Sequence, residues 1–400
     1  MSHSPSRIAV ALILSCALLG GYASMFTSYH HGMLNALRVC TSDSPSSRGE
    51  CVLDMSHSPA SVRTHYTHIP TIDSLIDLLL EFFAQGLKSQ PNVENVDVEA
   101  FLAFTYMAAQ FGGAWYLMTL EGFRMANAGT ILTWTGSFGI IFQLVTITII
   151  APMYLSLQIL LSPVASPPSA FLVDPVDLTL LPISTMIAFV LPTVALSLPL
   201  LGMLSPEANY VCIALWQPFP LYQTAVHALL RLFWGNRRSK AHHAARFKAK
   251  RNRTATNRAY SFILYLTMGV HLLVFATVFT SAYTDILPAM SATEILAPTS
   301  LFDPPTRALL NPPVSVMSAR TIVVSFLRWD VYCACASFVI WACYMLHSAQ
   351  KSSSLGVTLA RVAFWMVFGG PIAPAVMLLW ERDTRALQSL EQLNEEKKGA

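Results

Sequence analysis

Eight runs free of Asp, Glu, Lys and Arg recur along this chain: residues 8–26, 100–120, 129–161, 178–204, 208–230, 259–284, 331–346 and 362–380. A helix needs about 20 apolar residues to cross a hydrocarbon core of ~30 Å. Backbone amides inside lipid need internal partners, which leaves helices or closed barrels. These runs are too long and too evenly apolar for barrel strands. The pattern predicts an all-α, polytopic membrane bundle of seven to eight transmembrane helices. Run 129–161 exceeds the core thickness at about 1.5 Å per residue, so a kink or an interfacial continuation is expected at Pro152. Pro182, Pro192 and Pro199 are expected to kink run 178–204.

One stretch has a different period. In 70–87, Leu75, Leu78, Leu79, Phe82 and Phe83 recur at helical spacing, while Asp73, Asp77 and Glu81 fall on another face. This predicts an amphipathic helix capped at Thr71 or Asp73, lying in the interface or as a lid over the bundle mouth. The segments then divide as 1–26, a first transmembrane helix or signal anchor; 27–98, a polar loop carrying that helix; 99–380, the bundle; and 381–400, a polar tail. Residues 162–177 and 285–327 read as Pro-rich loops.

Composition agrees with the pattern. Only 12% of residues are charged and 54% are hydrophobic, against about 25% charged in soluble domains. Ten of the 25 Lys and Arg lie between Arg231 and Arg258, with no acidic residue among them. The positive-inside rule puts that loop in the cytosol. A basic loop against an anionic leaflet explains the charge without nucleic acid. Counting back through five spans puts the N-terminus outside, 121–128 and 285–327 on the lumenal side, and Cys40 and Cys51 in the cytosol. Arg7 before the first run argues the opposite orientation. Cys16, Cys212, Cys333, Cys335 and Cys343 read as small apolar residues. Cys40 and Cys51 read as free thiols or a disulfide.

Charged groups inside apolar sequence are costly, and they are where chemistry is sought. Trp115–Asn127, WYLMTLEGFRMAN, sets Glu121 three residues before Arg124 and six before Asn127; positions three apart share a helix face. Asp330 sits at the predicted start of a later span, with Arg328 pointing elsewhere. In the favoured topology both helix ends face one side. Asp330 then reads as the better acid, and Glu121, beside Arg124, as a base or cation stabiliser. Gln143 and Gln217 are amides within spans that could bind a ligand hydroxyl or a neighbouring helix. Aromatic residues, Trp216 among them, are spread over several spans. His227 and Arg231 read as an interfacial pair, and His271 as a buried, hydrogen-bonded histidine. Phosphate-loop, H-E-x-x-H, G-x-S-x-G and Asp-rich diphosphate motifs are absent from the sequence, and no cofactor or metal site is expected.

The elements PTIDSLIDLLLEFF, LEGFRMAN with Gln143 downstream, PMYLSLQILLSP, ALWQPFP and the late RWD occur here in one order. That order resembles the fungal multi-span terpene cyclases of indole-diterpene and ascofuranone-like meroterpenoid biosynthesis, from about residue 70 to 380. The family's Glu-Ser/Gly-x-Arg-x-x-Asn pattern matches Glu121 to Asn127. Arg328 stands where the family usually has an amide or aromatic residue before Trp329-Asp330. The resemblance implies metal-independent, proton-initiated cyclisation of an epoxidised prenyl chain, an isomerase-type reaction in secondary metabolism. Asp330 and Glu121 would be catalytic, and Arg124, Asn127, Gln143, Trp216 and Gln217 would bind substrate. The implied partners are a lipophilic prenylated substrate, the bilayer (of the endoplasmic reticulum) and other membrane enzymes of the pathway. A non-catalytic transporter or scaffold for a lipophilic product is the alternative.

Overall fold

A computed structural model describes residues 4–35, 37, 68–87, 98–161, 168–201, 203–204, 206–236, 249–283, 319–349 and 354–399. The Cys40–Cys51 question, the middle of the basic loop and residues 285–318 lie outside the described residues. What is described is helical: α1 Ser4–Gly20, α2 Pro70–Gly86, α3 Val98–Gly122, α4 Thr135–Leu144, α5 Ile147–Leu161, α6 Pro175–Thr185, α7 Leu191–Ser197, α8 Pro206–Trp216, α9 Phe219–Asn236, α10 Ala249–Tyr283, α11 Ala319–Ala349, α12 Leu355–Gly369 and α13 Ala373–Gly399. Four stretches are long and apolar enough to cross a membrane: Pro5–His30, Pro168–Ser197, Asn252–Ser281 and Ala319–Ala349. Helices α4, α5 and α12 are apolar but shorter.

Helix α11 is the centre, with α1, α2, α3, α5 and α13 packed on it. It begins at Ala319, so Asp330 lies inside the helix and not at its end as the sequence suggested. Arg320 and Arg328 break the charge-free run there, yet the segment ARTIVVSFL remains helical. Prolines act within the expected kink in 178–204: α6 runs through Pro182 into a π turn, Met186–Val190, and Pro192 opens α7. Pro lacks an amide donor, so the ladder is interrupted there.

Two stretches expected to cross once instead fold back on themselves. In 129–161 the break is at Val145–Thr146, where Thr146 takes a φ of 154°, and Pro152 is accommodated within α5. Phe138 of α4 packs edge-on against Tyr154 of α5, ring centroids 5.1 Å apart. The Tyr154 hydroxyl donates to the carbonyl of Leu132, just before α4, at 2.9 Å. These contacts make α4 and α5 antiparallel, with their turn at the far end. In 362–380 the turn is Gly370–Ile372. Gly370 has φ +89° and an added Cβ would meet Gln110 Nε2 at 2.7 Å, so only glycine fits. Gln110 Oε1 accepts from the Ile372 amide at 3.2 Å, and Arg361 of α12 meets Glu381 of α13 at 2.7 Å.

These turns change which ends lie together. Phe123, after α3, stacks on His227 of α9 at 4.5 Å, and Arg124 bonds Tyr260 near the start of α10. Residues 121–128 therefore share one end of the bundle with both flanks of the basic loop, which corrects the opposite placement expected above. The α4–α5 hairpin starts and ends at that end, where a single crossing had been counted.

The amphipathic stretch is helical as α2, but Pro70 opens it after Ile69 with no side-chain cap, so neither Thr71 nor Asp73 caps it. Asp73 and Glu81 are buried and not turned to solvent. His271 is a buried, bonded histidine as read: its Nε2 donates to the Val367 carbonyl at 2.9 Å. Cys16, Cys212, Cys333, Cys335 and Cys343 are free thiols, with Cys333 and Cys335 buried. The tail beyond residue 381 continues as α13 and carries two buried charges, Arg382 and Asp383.

Candidate active site

A cavity of about 240 Å³ lies between the α4–α5 turn and α2. Helix α2 contributes Leu75, Leu78, Leu79, Phe82 and Phe83, the apolar stripe read from the sequence. Helix α3 adds Phe104 and Phe111, α4 adds Phe142, and α8 adds Trp216. Trp216 is fixed by its Nε1 donating to Thr193 Oγ1 at 2.9 Å, and it packs against Phe83 at 5.5 Å. Among the described lining residues the polar side chains are Gln143, Thr146 and Asp330, apart from the Trp216 indole.

Asp330 is 8% exposed, and its Oδ1 accepts the backbone amide of Thr148 at 2.9 Å. The first amides of a helix lack partners within it. The turn at Thr146 frees those of α5, and the Asp330 carboxyl caps one of them. No cation pairs with Asp330 among the described residues. Irregular backbone at membrane depth is tolerated where it is enclosed by protein or lines a cavity. Here Gln143 to Ile147 line the cavity, and Gln143 Nε2 is buried without a hydrogen-bond partner.

Glu121, Arg124 and Asn127 form a different centre. Arg124 Nε donates to Glu121 Oε2 at 3.1 Å, and its Nη2 donates to Asp383 Oδ2 at 2.6 Å and to the Tyr260 hydroxyl at 3.1 Å. Its Nη1 donates to the Phe171 carbonyl. Arg382 bridges the same carboxylates, Glu121 at 3.3 Å and Asp383 at 2.9 Å, and lies over the Phe171 ring. Asn127 Nδ2 donates to the Glu121 backbone carbonyl at 2.8 Å. Two carboxylates and two guanidiniums thus balance in full burial. Burial pushes the Asp383 carboxyl up, but Arg124 and Arg382 override this and hold it below its ordinary range.

The two centres are joined but not shared. Gln158 of α5 donates to Glu121 Oε1 at 3.3 Å and accepts from Trp341 Nε1 at 2.9 Å. From Thr148 to Gln158, and from Asp330 to Trp341, the helices rise about 15 Å at 1.5 Å per residue. The structure brings Asp330, Gln143 and Trp216 to one cavity and leaves Glu121, Arg124 and Asn127 outside it. This corrects the expectation of one site shared by Glu121 and Asp330. Gln217 is in neither centre; it follows α8, and neither end of its buried amide has a hydrogen-bond partner.

Sequence reading missed Arg382, Asp383, Tyr260, Gln158 and Trp341 as members of the ionic centre. The available signal was Arg382-Asp383 directly after an apolar run. His227 and Arg231 are also more than an interfacial pair: both bond Asp177 of α6, His227 at 3.2 Å.

The CtvD domain model matches residues 8–387. Terpene cyclase ascI of Acremonium egyptiacum is 27% identical over 340 residues, 83% of this chain and 81% of the relative. Terpene cyclase ctvD of Aspergillus terreus is 25% identical over 324 residues, 78% and 83%. Terpene cyclase atmA of Aspergillus flavus is 24% identical over 383 residues, 93% and 96%. No solved structure matches. Relatives that carry an enzyme name over this much of the chain support an enzyme here. With its match running from the first helix past the buried Arg382–Asp383 pair, this chain belongs to the CtvD-domain family of fungal terpene cyclases.

Proposed function

We propose that the protein cyclises an epoxidised prenyl chain of a meroterpenoid or indole-diterpene precursor, with Asp330 as the proton donor. The observation that carries this is a carboxyl group without countercharge on the wall of an aromatic cavity. The proton passes from Asp330 to the epoxide oxygen, and the C–O bond breaks. The π electrons of a nearby alkene form the ring C–C bond and leave a tertiary cation. Faces of Phe82, Phe83, Phe111 and Trp216 would stabilise that charge, as aromatic rings do for cations. Loss of a C–H proton from the cation gives a neutral product of unchanged mass and restores the proton inventory. Gln143 offers an amide donor to a substrate oxygen. Glu121, outside the cavity, supports the reaction by fixing α3, α5 and α13 and does not touch the substrate.

In this reading the bundle sits in the endoplasmic reticulum membrane with six crossings and two re-entrant hairpins, in place of seven to eight simple spans. The crossings are α1, α3, α6–α7, α8–α9, α10 and α11. The basic loop and the N-terminus are cytosolic, and a lipophilic substrate reaches the cavity from the bilayer. Expression in a host supplied with an epoxy-prenyl precursor tests the proposal, with products read by mass and NMR. A cyclised isomer lost in Asp330→Asn supports it. Unchanged substrate with folded wild-type protein overturns it.

A further inference from the structure

Helix α2 presents a cavity-lining face and a buried face. Residues 75, 78, 79, 82 and 83 line the cavity. Glu81 and Gln85 lie on the other side, about 130° and 90° around the helix from the centre of that stripe at 100° per residue. Glu81 is 4% exposed. Its Oε2 accepts from the Tyr210 hydroxyl of α8, and its Oε1 accepts from Gln85 Nε2 at 2.7 Å. Both partners are neutral, so the bond specifies direction without a countercharge. On the cavity side Gly86 lies close against α11, where an added Cβ would meet Leu327 at 3.2 Å. A roll of α2 by one residue position would move the apolar stripe and swing the Glu81 carboxyl toward the cavity.

We propose that Glu81 is a positioning residue. Its bond to Tyr210 fixes the rotation of α2, keeping the aromatic stripe on the cavity and both water and the Glu81 carboxyl away from the cation. This rests on the cyclisation reading above. With the latch broken, water adds to the cation through its oxygen and a proton is released, giving a product heavier by one water molecule instead of the isomer.

The test compares full-length wild type, Tyr210→Phe, Glu81→Ala and Glu81→Gln in membranes given an epoxy-prenyl substrate. The latch predicts that Tyr210→Phe and Glu81→Ala raise the ratio of water-added to isomeric product about fivefold, the weight of one hydrogen bond. Glu81→Gln, whose amide oxygen still accepts from Tyr210, stays near wild type. An unchanged ratio in Tyr210→Phe and Glu81→Ala overturns the proposal, as does Glu81→Gln behaving like Glu81→Ala. Alongside, a Leu79→Cys background is labelled with a membrane-permeant maleimide and read at residue 79 by peptide mass. Faster labelling with Tyr210→Phe supports the latch, and equal rates overturn it. Because labelling needs no turnover, a wild type that forms no isomer would count against the cyclisation reading while the labelling still decides the latch.

Discussion

Two buried carboxylates, Glu121 near the end of α3 and Asp330 within α11, are held in opposite ways. Glu121 meets two guanidiniums and an amide and lies outside the aromatic cavity. Among the described residues Asp330 meets only neutral groups at the start of α5, the Thr148 amide foremost, and faces open, aromatic-lined space. A carboxylate fully matched by cations is fixed in charge and place and contributes to architecture. A carboxyl matched by neutral donors alone, with space for a ligand, is free to exchange a proton. Burial alone does not distinguish the two, since Glu121 is 2% exposed and Asp330 8%. The surroundings do.

The sharpest way to break this comparison is to remove charge at each centre separately. Asp330→Asn keeps an acceptor for the Thr148 amide, so turnover should fall about 10²–10⁴-fold, the usual weight of general acid catalysis. Thermal stability in detergent should stay close to wild type; a large fall would make Asp330 structural. Arg124→Ala should do the reverse. It leaves Glu121 and Asp383 to share the single guanidinium of Arg382 in the interior and should cost about 3–5 kcal/mol of stability, read as a lower melting temperature, whatever residual activity survives. A smaller effect sharpens the comparison from outside both centres. Gly20 of α1 lies against the α4–α5 turn, where an added Cβ would come within 2.0 Å of Thr148 Oγ1. Gly20→Ala should cost about 1–3 kcal/mol through overpacking and should lower turnover by moving the amide that Asp330 caps. Smallest, Gln143→Leu should raise KM roughly fivefold, about one hydrogen bond, with kcat and stability little changed.

The sequence was most informative where periodicity stood alone. The apolar stripe of 70–87, a helix over 100–120 and the bonded state of His271 all emerged from spacing and composition. It was least informative where a turn sits inside uninterrupted apolar sequence. Val145–Thr146 carries no Gly, Pro or charge to announce a reversal, because the signal that stabilises it, Asp330, is 182 positions away. Gly369-Gly370-Pro371 did mark a break, yet an apolar run of 362–380 looked long enough for a crossing. The miscounted hairpin also explains why two charge signals seemed to conflict. With α4 and α5 returning to the end they start from, Arg7 and the basic loop fall at the same end of the bundle, and the positive-inside rule is consistent with both. For the cavity, the reading singled out Asp330, Gln143 and Trp216, which line it together. It joined Glu121 to them only because helix ends were assumed to share a side.

The cap on the α4–α5 turn has a consequence for biosynthesis. The stretch 129–161 leaves the ribosome long before Asp330 exists, and it is apolar enough to be handed to lipid as a plain rod. Its bend is complete only after α11 has been made and has slid in beside α1 and α5. The carboxyl that completes the cavity is therefore also among the last parts to arrive, so a half-made chain holds an unfinished turn and an unfinished cavity wall.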